Sequence, residues 1–316
     1  MFRYLLYCLL TFAASNGYGQ TIKPVRYRDE VFSKLVIQKN ISYLNVPNDH
    51  AKKNAYLFDL YEPSGDSILQ RPLIIWLHGG GFKFGSKKAK GVQLWSKMFG
   101  MRGYVSAGLN YPLSKKNPLL KFAELKKGCY EAVQAVEEAV AFFKKNAALY
   151  RIDTSHIIVA GNSAGGIIAL QMAYTGSLQL AGYAGLPGAE TFSAKPNPAG
   201  IAAVVNFWGG IFKIDWLQNG RVPIFSAYGS KDKLVAPGHK NTDTAMYGSM
   251  AIHEAATKKN IPNSVKVYEG YSHELQKHFN PLFPVSAKTR DRWRDAGQSA
   301  ADFLYEELFK NKIVLK

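Results

Sequence analysis

Two hydrophobic rhythms alternate along the chain, and their order predicts the architecture. Leu73-Ile74-Ile75-Trp76-Leu77 is an unbroken apolar run that ends in glycines, the pattern of a strand buried on both faces of a parallel sheet. Tyr104–Asn110 and His156-Ile157-Ile158-Val159-Ala160 repeat it, and Ile201–Phe207, Val222–Tyr228 and Val265–Tyr268 follow. Between these runs, residues 122–146 place Val133, Val136, Val140 and Phe143 on one helical face with Lys and Glu opposite. Ile167–Tyr174, residues 243–259 and Ala296–Phe309 also read as helices. Ahead of the first buried strand, Leu35–Val46 and Ala55–Tyr61 flank a polar Pro47–Asn54 turn and predict an antiparallel hairpin. The expected fold is therefore α/β, a mainly parallel doubly wound sheet with an antiparallel N-terminal hairpin. Ligands in such sheets bind beyond the carboxyl ends of the strands, so the segments after each strand are where chemistry is expected.

The first twenty residues stand apart. Arg3 precedes the apolar run Tyr4–Ala14, and the small residues Gly17 and Gly19 follow. This is the layout of a secretory signal peptide over residues 1–19, leaving 20–316 as one catalytic domain that is secreted or periplasmic. The run is shorter than the roughly 20 residues that span a bilayer, so no stable membrane insertion is expected after cleavage. Cleavage also removes Cys8. Cys129 is then the sole cysteine, which excludes an intramolecular disulfide and reads as a buried structural thiol.

Charge changes the picture little. The chain carries 40 Lys+Arg against 23 Asp+Glu, a formal +17 that falls to +16 without Arg3. Such a field favours acidic surfaces. The lysines, however, are scattered in short pairs such as Lys52-Lys53 and Lys126-Lys127 and match no nucleic-acid motif, so no nucleic-acid partner is expected.

Two glycine-bearing segments carry the chemistry. Gly161-Asn162-Ser163-Ala164-Gly165 joins a buried strand to a helix. That is the setting of a nucleophile elbow, where a serine at the tip of a sharp turn needs small neighbours on either side. Ser163 is the candidate nucleophile. His78-Gly79-Gly80-Gly81-Phe82 follows the first buried strand. Its glycines let free backbone N–H groups approach a developing oxyanion, making Gly80 and Gly81 candidate donors, with the N–H of Ala164 as the third. A phosphate-cradling loop is the competing reading, but no Gly-Lys-Ser/Thr or G-x-G-x-x-G pattern is present. His78 reads as a holder of this loop rather than a base.

These segments resemble the α/β-hydrolase carboxylesterases and lipases with an HGGG motif, over nearly the whole mature chain. Phe58-Asp59-Leu60-Tyr61-Glu62-Pro63, the Gly85-Ser86 pair and Tyr150-Arg151-Ile152-Asp153 look like the branch that contains bacterial acetyl-xylan and feruloyl esterases. Asn162 stands where the related hormone-sensitive-lipase-like branch often has an acidic residue. The resemblance implies an α/β-hydrolase fold and an acid after a late strand. Asp232, in Gly229-Ser230-Lys231-Asp232, occupies that place, with Asp215 as the competitor. It also implies that the histidine comes last. Among seven histidines, His273 lies in the glycine-bearing loop after the last strand, with His278 and His239 as fallbacks.

The expected activity is carboxylic-ester hydrolysis through an acyl-enzyme, without cofactor or metal. No His-Glu-x-x-His or Cys-x-x-Cys pair is present. A lipase, a peptidase on the same fold, and a binding protein on an inactive scaffold are the alternatives. The peptidase reading lacks length for a cap domain, and the binding-protein reading is at odds with three retained catalytic candidates. Phe82, Phe207 and Trp208, each after a strand end, are candidate substrate contacts, with core packing as their other reading. Tyr174–Gly200, rich in Gly, Ala and Pro, reads as a loop wall rather than a lid helix. Secretion and the resemblance together point to acetyl or feruloyl esters of plant polysaccharide.

Overall fold

A computed structural model describes residues 23–44, 54–187, 197, 199–239, 246–282 and 284–310. The segment 1–22, with the expected signal peptide, and residues 45–53, which hold all but the last residue of the expected Pro47–Asn54 turn, lie outside the described residues.

The central sheet has eight strands. In chain order they are β1 (Leu35–Ser42), β2 (Leu57–Pro63), β3 (Arg71–Leu77), β4 (Val105–Leu109), β5 (Ile152–Asn162), β6 (Ala203–Phe207), β8 (Ile224–Gly229) and β10 (Asn263–Tyr268). They lie side by side as β1-β2-β4-β3-β5-β6-β8-β10. β1 pairs antiparallel with β2, and β2 antiparallel with β4. Every other pairing is parallel. The short β7 (Gly210–Ile211) and β9 (Tyr247–Gly248) form a separate ribbon.

The helices are α1 (Lys90–Met101), α2 (Phe122–Lys145), α3 (Ala147–Tyr150), α4 (Ala164–Tyr174), α5 (Ser177–Tyr183), α6 (Ser249–Lys258) and α7 (Ala287–Leu308). The period-two geometry of a strand divides them into layers. Leu73, Ile75 and Leu77 of β3 enter the core built with α2 and α4, whereas Ile74 and Trp76 enter the core built with α1 and α7. All five are fully buried, so the unbroken apolar run reflects two covered faces. This is the α/β-hydrolase fold. Among the described residues, no helix is long and apolar enough to cross a membrane.

Some boundaries differ from the sequence reading. α1 was not anticipated: Gly91 and Gly100 lie within it and no side chain caps its N-terminus. The closing helix begins nine residues earlier than the expected Ala296, capped where Ser286 Oγ accepts the Thr289 N–H at 3.1 Å. The expected loop wall at Tyr174–Gly200 contains α5, whose first residue is anchored by Glu137: its carboxylate accepts the Ser177 N–H at 2.9 Å and hydroxyl at 2.5 Å. Because β3, β5, β6, β8 and β10 are parallel, the segments after Leu77, Asn162, Phe207, Gly229 and Tyr268 all leave the same edge of the sheet.

Candidate active site

Ser163 lies between β5 and α4 at φ 53°, ψ −118°, a strained conformation for a residue with a side chain. Its N–H donates to Phe207 O at 2.8 Å, which ties the turn to the next strand. The turn closes only around glycine. A Cβ on Gly161 would stand 2.5 Å from Gly165 C, and one on Gly165 would stand 2.2 Å from Leu77 O. Ser163 therefore projects at the N-terminus of α4, where the first helical N–H, that of Ala164, has no intrahelical partner.

Two loops from later strands converge on it. His273 Nε2 lies 2.9 Å from Ser163 Oγ, and His273 Nδ1 lies 2.7 Å from Asp232 Oδ2. In a neutral imidazole these partners select one tautomer: Nδ1–H donates to the carboxylate and Nε2 accepts the serine hydroxyl. Asp232 Oδ1 accepts the N–H groups of Leu234 at 2.9 Å and Val235 at 3.0 Å, so the carboxylate is held on both oxygens. Lys231 N donates to Tyr271 O at 2.8 Å and joins the two loops directly. All three side chains are buried. Asp215 is exposed in the turn Ile214–Asn219, and the carboxylate bonded to the imidazole is that of Asp232. His239 stacks on Tyr247, and His278 is exposed.

The glycine loop crosses beside the serine. A Cβ on Gly79 would lie 3.2 Å from Ser163 Cβ. Gly81 has φ 59° and Gly80 has φ 110°, a region open only to glycine. The N–H groups of Gly80 and Gly81 have no acceptor among the described residues. His78 holds this loop. Its Nδ1 donates to Gly79 O at 2.7 Å, its ring stacks on Tyr111 at 4.2 Å, and Tyr111 Oη donates to His78 O at 2.7 Å. Burial pulls the His78 pKa down to about 4, so the ring is neutral at ordinary pH.

The three aromatic substrate candidates need correction. Phe82 and Phe207 are fully buried, and Trp208 is 1% exposed. Phe207 packs among Trp76, Trp95 and Trp208 on the α1–α7 side, and Trp208 also stacks against Trp293. Phe82 is covered by α2 at Gly128. Rings so enclosed fill the core and offer no free face to a substrate. A ring that the sequence reading did not single out, Phe279, touches the candidate base. Its half-buried ring meets the His273 imidazole edge-on, with centroids 4.9 Å apart and an interplanar angle of 84°. No periodicity or motif marks it. Cys129 is buried, and burial pushes its thiol pKa upward, in keeping with a structural role.

Fold and clustered side chains define a serine hydrolase that acts on carboxylic esters. The chain belongs to the BD-FAE family, an α/β-hydrolase esterase family, whose model matches residues 58–221. Among solved structures, it is similar to esterase 2 of Thermogutta terrifontis phosphorylated by paraoxon. That likeness has 18% identity and a TM-score of 0.58, over 87% of this chain and 95% of that one. The propionate-bound form of the same esterase is similar at 18% identity and a TM-score of 0.56, over 90% and 98% of the two chains. At this identity the likeness is one of fold. Comparison with curated protein sequences finds no match.

Proposed function

We propose that the chain is a secreted esterase that cleaves short-chain or compact aromatic acyl esters, with acetyl and feruloyl groups on plant polysaccharide as the substrate class. The observation that carries the reading is the continuous array from Asp232 Oδ2 through His273 to Ser163 Oγ, with contacts of 2.7 and 2.9 Å. In the proposed mechanism, His273 Nε2 takes the Ser163 proton as Oγ attacks the ester carbonyl. Asp232 stabilises the imidazolium. The N–H groups of Gly80, Gly81 and Ala164 receive the oxyanion. Collapse of the tetrahedral intermediate expels the alcohol, which is protonated by His273. Water, activated by the same imidazole, then releases the acid and restores Ser163.

The short-acyl preference is supported by Phe279, whose ring packs edge-on against the His273 imidazole. It is also in line with the propionate- and butyrate-bound forms of the Thermogutta esterase. The signal-like layout of residues 1–19 supports the secreted reading. The deciding experiment is a panel of nitrophenyl esters from acetyl to palmitoyl, beside acetylated xylan and methyl ferulate. Activity should peak at short chains and extend to one of the two polysaccharide-related substrates. A specificity constant that climbs steadily to palmitoyl would assign a lipase instead.

A further inference from the structure

The loop that offers the oxyanion donors continues into a surface that the proposed reaction does not use. Phe84, three residues beyond Gly81, is 62% exposed. The segment after β4 packs against the same loop. Ser114 N donates to Phe82 O at 2.8 Å, and Lys83 Nζ donates to Ser114 O at 3.2 Å and Lys115 O at 2.9 Å. Further along, the Leu119 side chain covers Gly81, where an added Cβ would meet Leu119 Cδ2 at 2.2 Å. Gly79, at the start of this loop, is the glycine that abuts Ser163. These contacts bring residues 80–84 and 113–119 into one face beside the nucleophile.

That face is apolar at its tips. Asn117 O accepts the N–H groups of Leu120 at 3.3 Å and Lys121 at 3.2 Å. The turn is seated on buried Pro118 and leaves Leu119 half exposed and Leu120 79% exposed. Leu113 is exposed as well. Across the catalytic residues, Leu234 is also exposed, and its N–H is bonded to Asp232. Large apolar side chains gathered at a surface mark a place where a partner covers them.

The same face is basic. No Asp or Glu occurs between Asp66 and Glu124. Lys83, Lys115 and Lys121 form no ion pair among the described residues. Lys116 meets Glu124 at 3.5 Å, with its side chain 70% exposed. Apolar tips flanked by lysines fit an amphipathic surface of negative charge: the leucines and Phe84 enter the acyl boundary while the ammonium groups stay among headgroup phosphates. A hydrated acidic polysaccharide would meet the lysines but leave the leucines uncovered.

We infer that residues 83–84 and 113–121 form a docking surface for an anionic lipid bilayer, which seats the protein with its catalytic edge towards the membrane. Such docking is peripheral and reversible, because the apolar tips are single side chains rather than a spanning segment. It goes beyond ester hydrolysis and does not depend on which acyl group is cleaved.

The test is co-flotation with vesicles of phosphatidylcholine alone and of phosphatidylcholine mixed with an equal part of phosphatidylglycerol. Wild type should bind the anionic vesicles at least about tenfold more tightly at low ionic strength, with the difference shrinking in about 0.5 M salt. Leu120→Asp should weaken binding about tenfold, and Lys115→Glu combined with Lys121→Glu at least about thirtyfold. The control combines Lys258→Glu with Lys259→Glu, exposed at the end of α6, where the chain enters β10 from the opposite edge of the sheet. It changes the net charge equally and should alter affinity less than about threefold. Every variant carries the wild-type N-terminus, so residues 1–19 contribute equally to all. The fluorescence of Phe84→Trp should be quenched by lipids with brominated acyl chains. Circular dichroism and thermal melts check that the variants fold. Equal losses from the two lysine pairs, undiminished binding of Leu120→Asp, or an unquenched tryptophan at position 84 each overturn the docking surface. Retention of wild type on a polygalacturonate resin, without binding to either vesicle, would assign the face to an acidic polysaccharide instead.

Discussion

Trp293 Nε1 donates to the carbonyl of Glu274 at 2.7 Å, from α7 to the residue directly after His273. The backbone there needs holding. Glu274 and Leu275 both sit at positive φ, 55° and 57°, in succession and without glycine. Arg292 Nε adds a bond to Leu275 O at 2.8 Å. The closing helix therefore sets the position of the proposed base. Trp293→Phe keeps the ring and removes the donor. We expect a stability loss of about 1–2 kcal/mol, together with a fall in kcat larger than any change in KM. Steady-state kinetics beside urea melts separate these effects, and an unchanged kcat would make the contact merely structural.

Ser163→Ala should lower ester turnover by at least about 10⁴-fold and abolish labelling by a fluorophosphonate probe, with the fold retained. Labelling that persists in this variant would place the nucleophile elsewhere.

The two candidate acids separate cleanly. Asp232→Asn reverses the hydrogen-bond preference at His273 Nδ1 and should cost up to about 10⁴-fold in kcat near neutral pH. Asp215→Asn, at an exposed position, should leave kcat within about twofold of wild type. Equal losses in the two variants would remove Asp232 from its assigned role.

His78 makes stability depend on pH. Its folded pKa of about 4 lies below the ordinary value of 6.5, so the unfolded chain binds the proton first as pH falls. Stability from this group is complete above about 6.5 and is lost as pH falls to about 4, a change of up to about 3 kcal/mol. Urea midpoints measured between pH 7 and 4 should drop over that window. His78→Asn should be less stable at pH 7 yet flatter across the window, and a parallel decline in both proteins would assign the effect to other groups.

Phe279→Ala opens the space beside the imidazole. The ratio of kcat/KM for butyryl over acetyl nitrophenyl esters should rise by about three- to tenfold, because one removed ring admits one or two further methylenes. A ratio that stays constant would mean that Phe279 does not border the acyl group.

The parts legible in the sequence were those where chemistry restricts residue type. Ser163 between Gly161 and Gly165 is one, because the turn leaves no room for a Cβ at either glycine. The buried strands are another, since only a doubly covered strand tolerates Leu73–Leu77 without a polar residue. Misreadings came from layers that had not been seen. Phe207 looked like a pocket wall because it ends a strand, but it shares a face with Val205, and that face is covered by α1 and α7. α1 itself carries two glycines and has no side-chain cap, so nothing announced the layer that takes the ring in. The contact of Phe279 with His273 depends on how the loop after the last strand folds back on itself, which a pattern of neighbours does not encode.

The pairing of Leu77 with Gly161 in adjacent parallel strands has a kinetic consequence. The glycine loop and the serine leave those two strands side by side, although 84 positions separate the paired residues. Neither half is a local structure, and loop closure must come before they meet. A slip of one residue between β3 and β5 would send Leu73, Ile75 and Leu77 to the wrong helix layer while pulling Gly79 away from Ser163. Serine reactivity is thereby a clock for folding. During refolding, covalent capture by an organophosphate marks the moment at which the two middle strands lock into register.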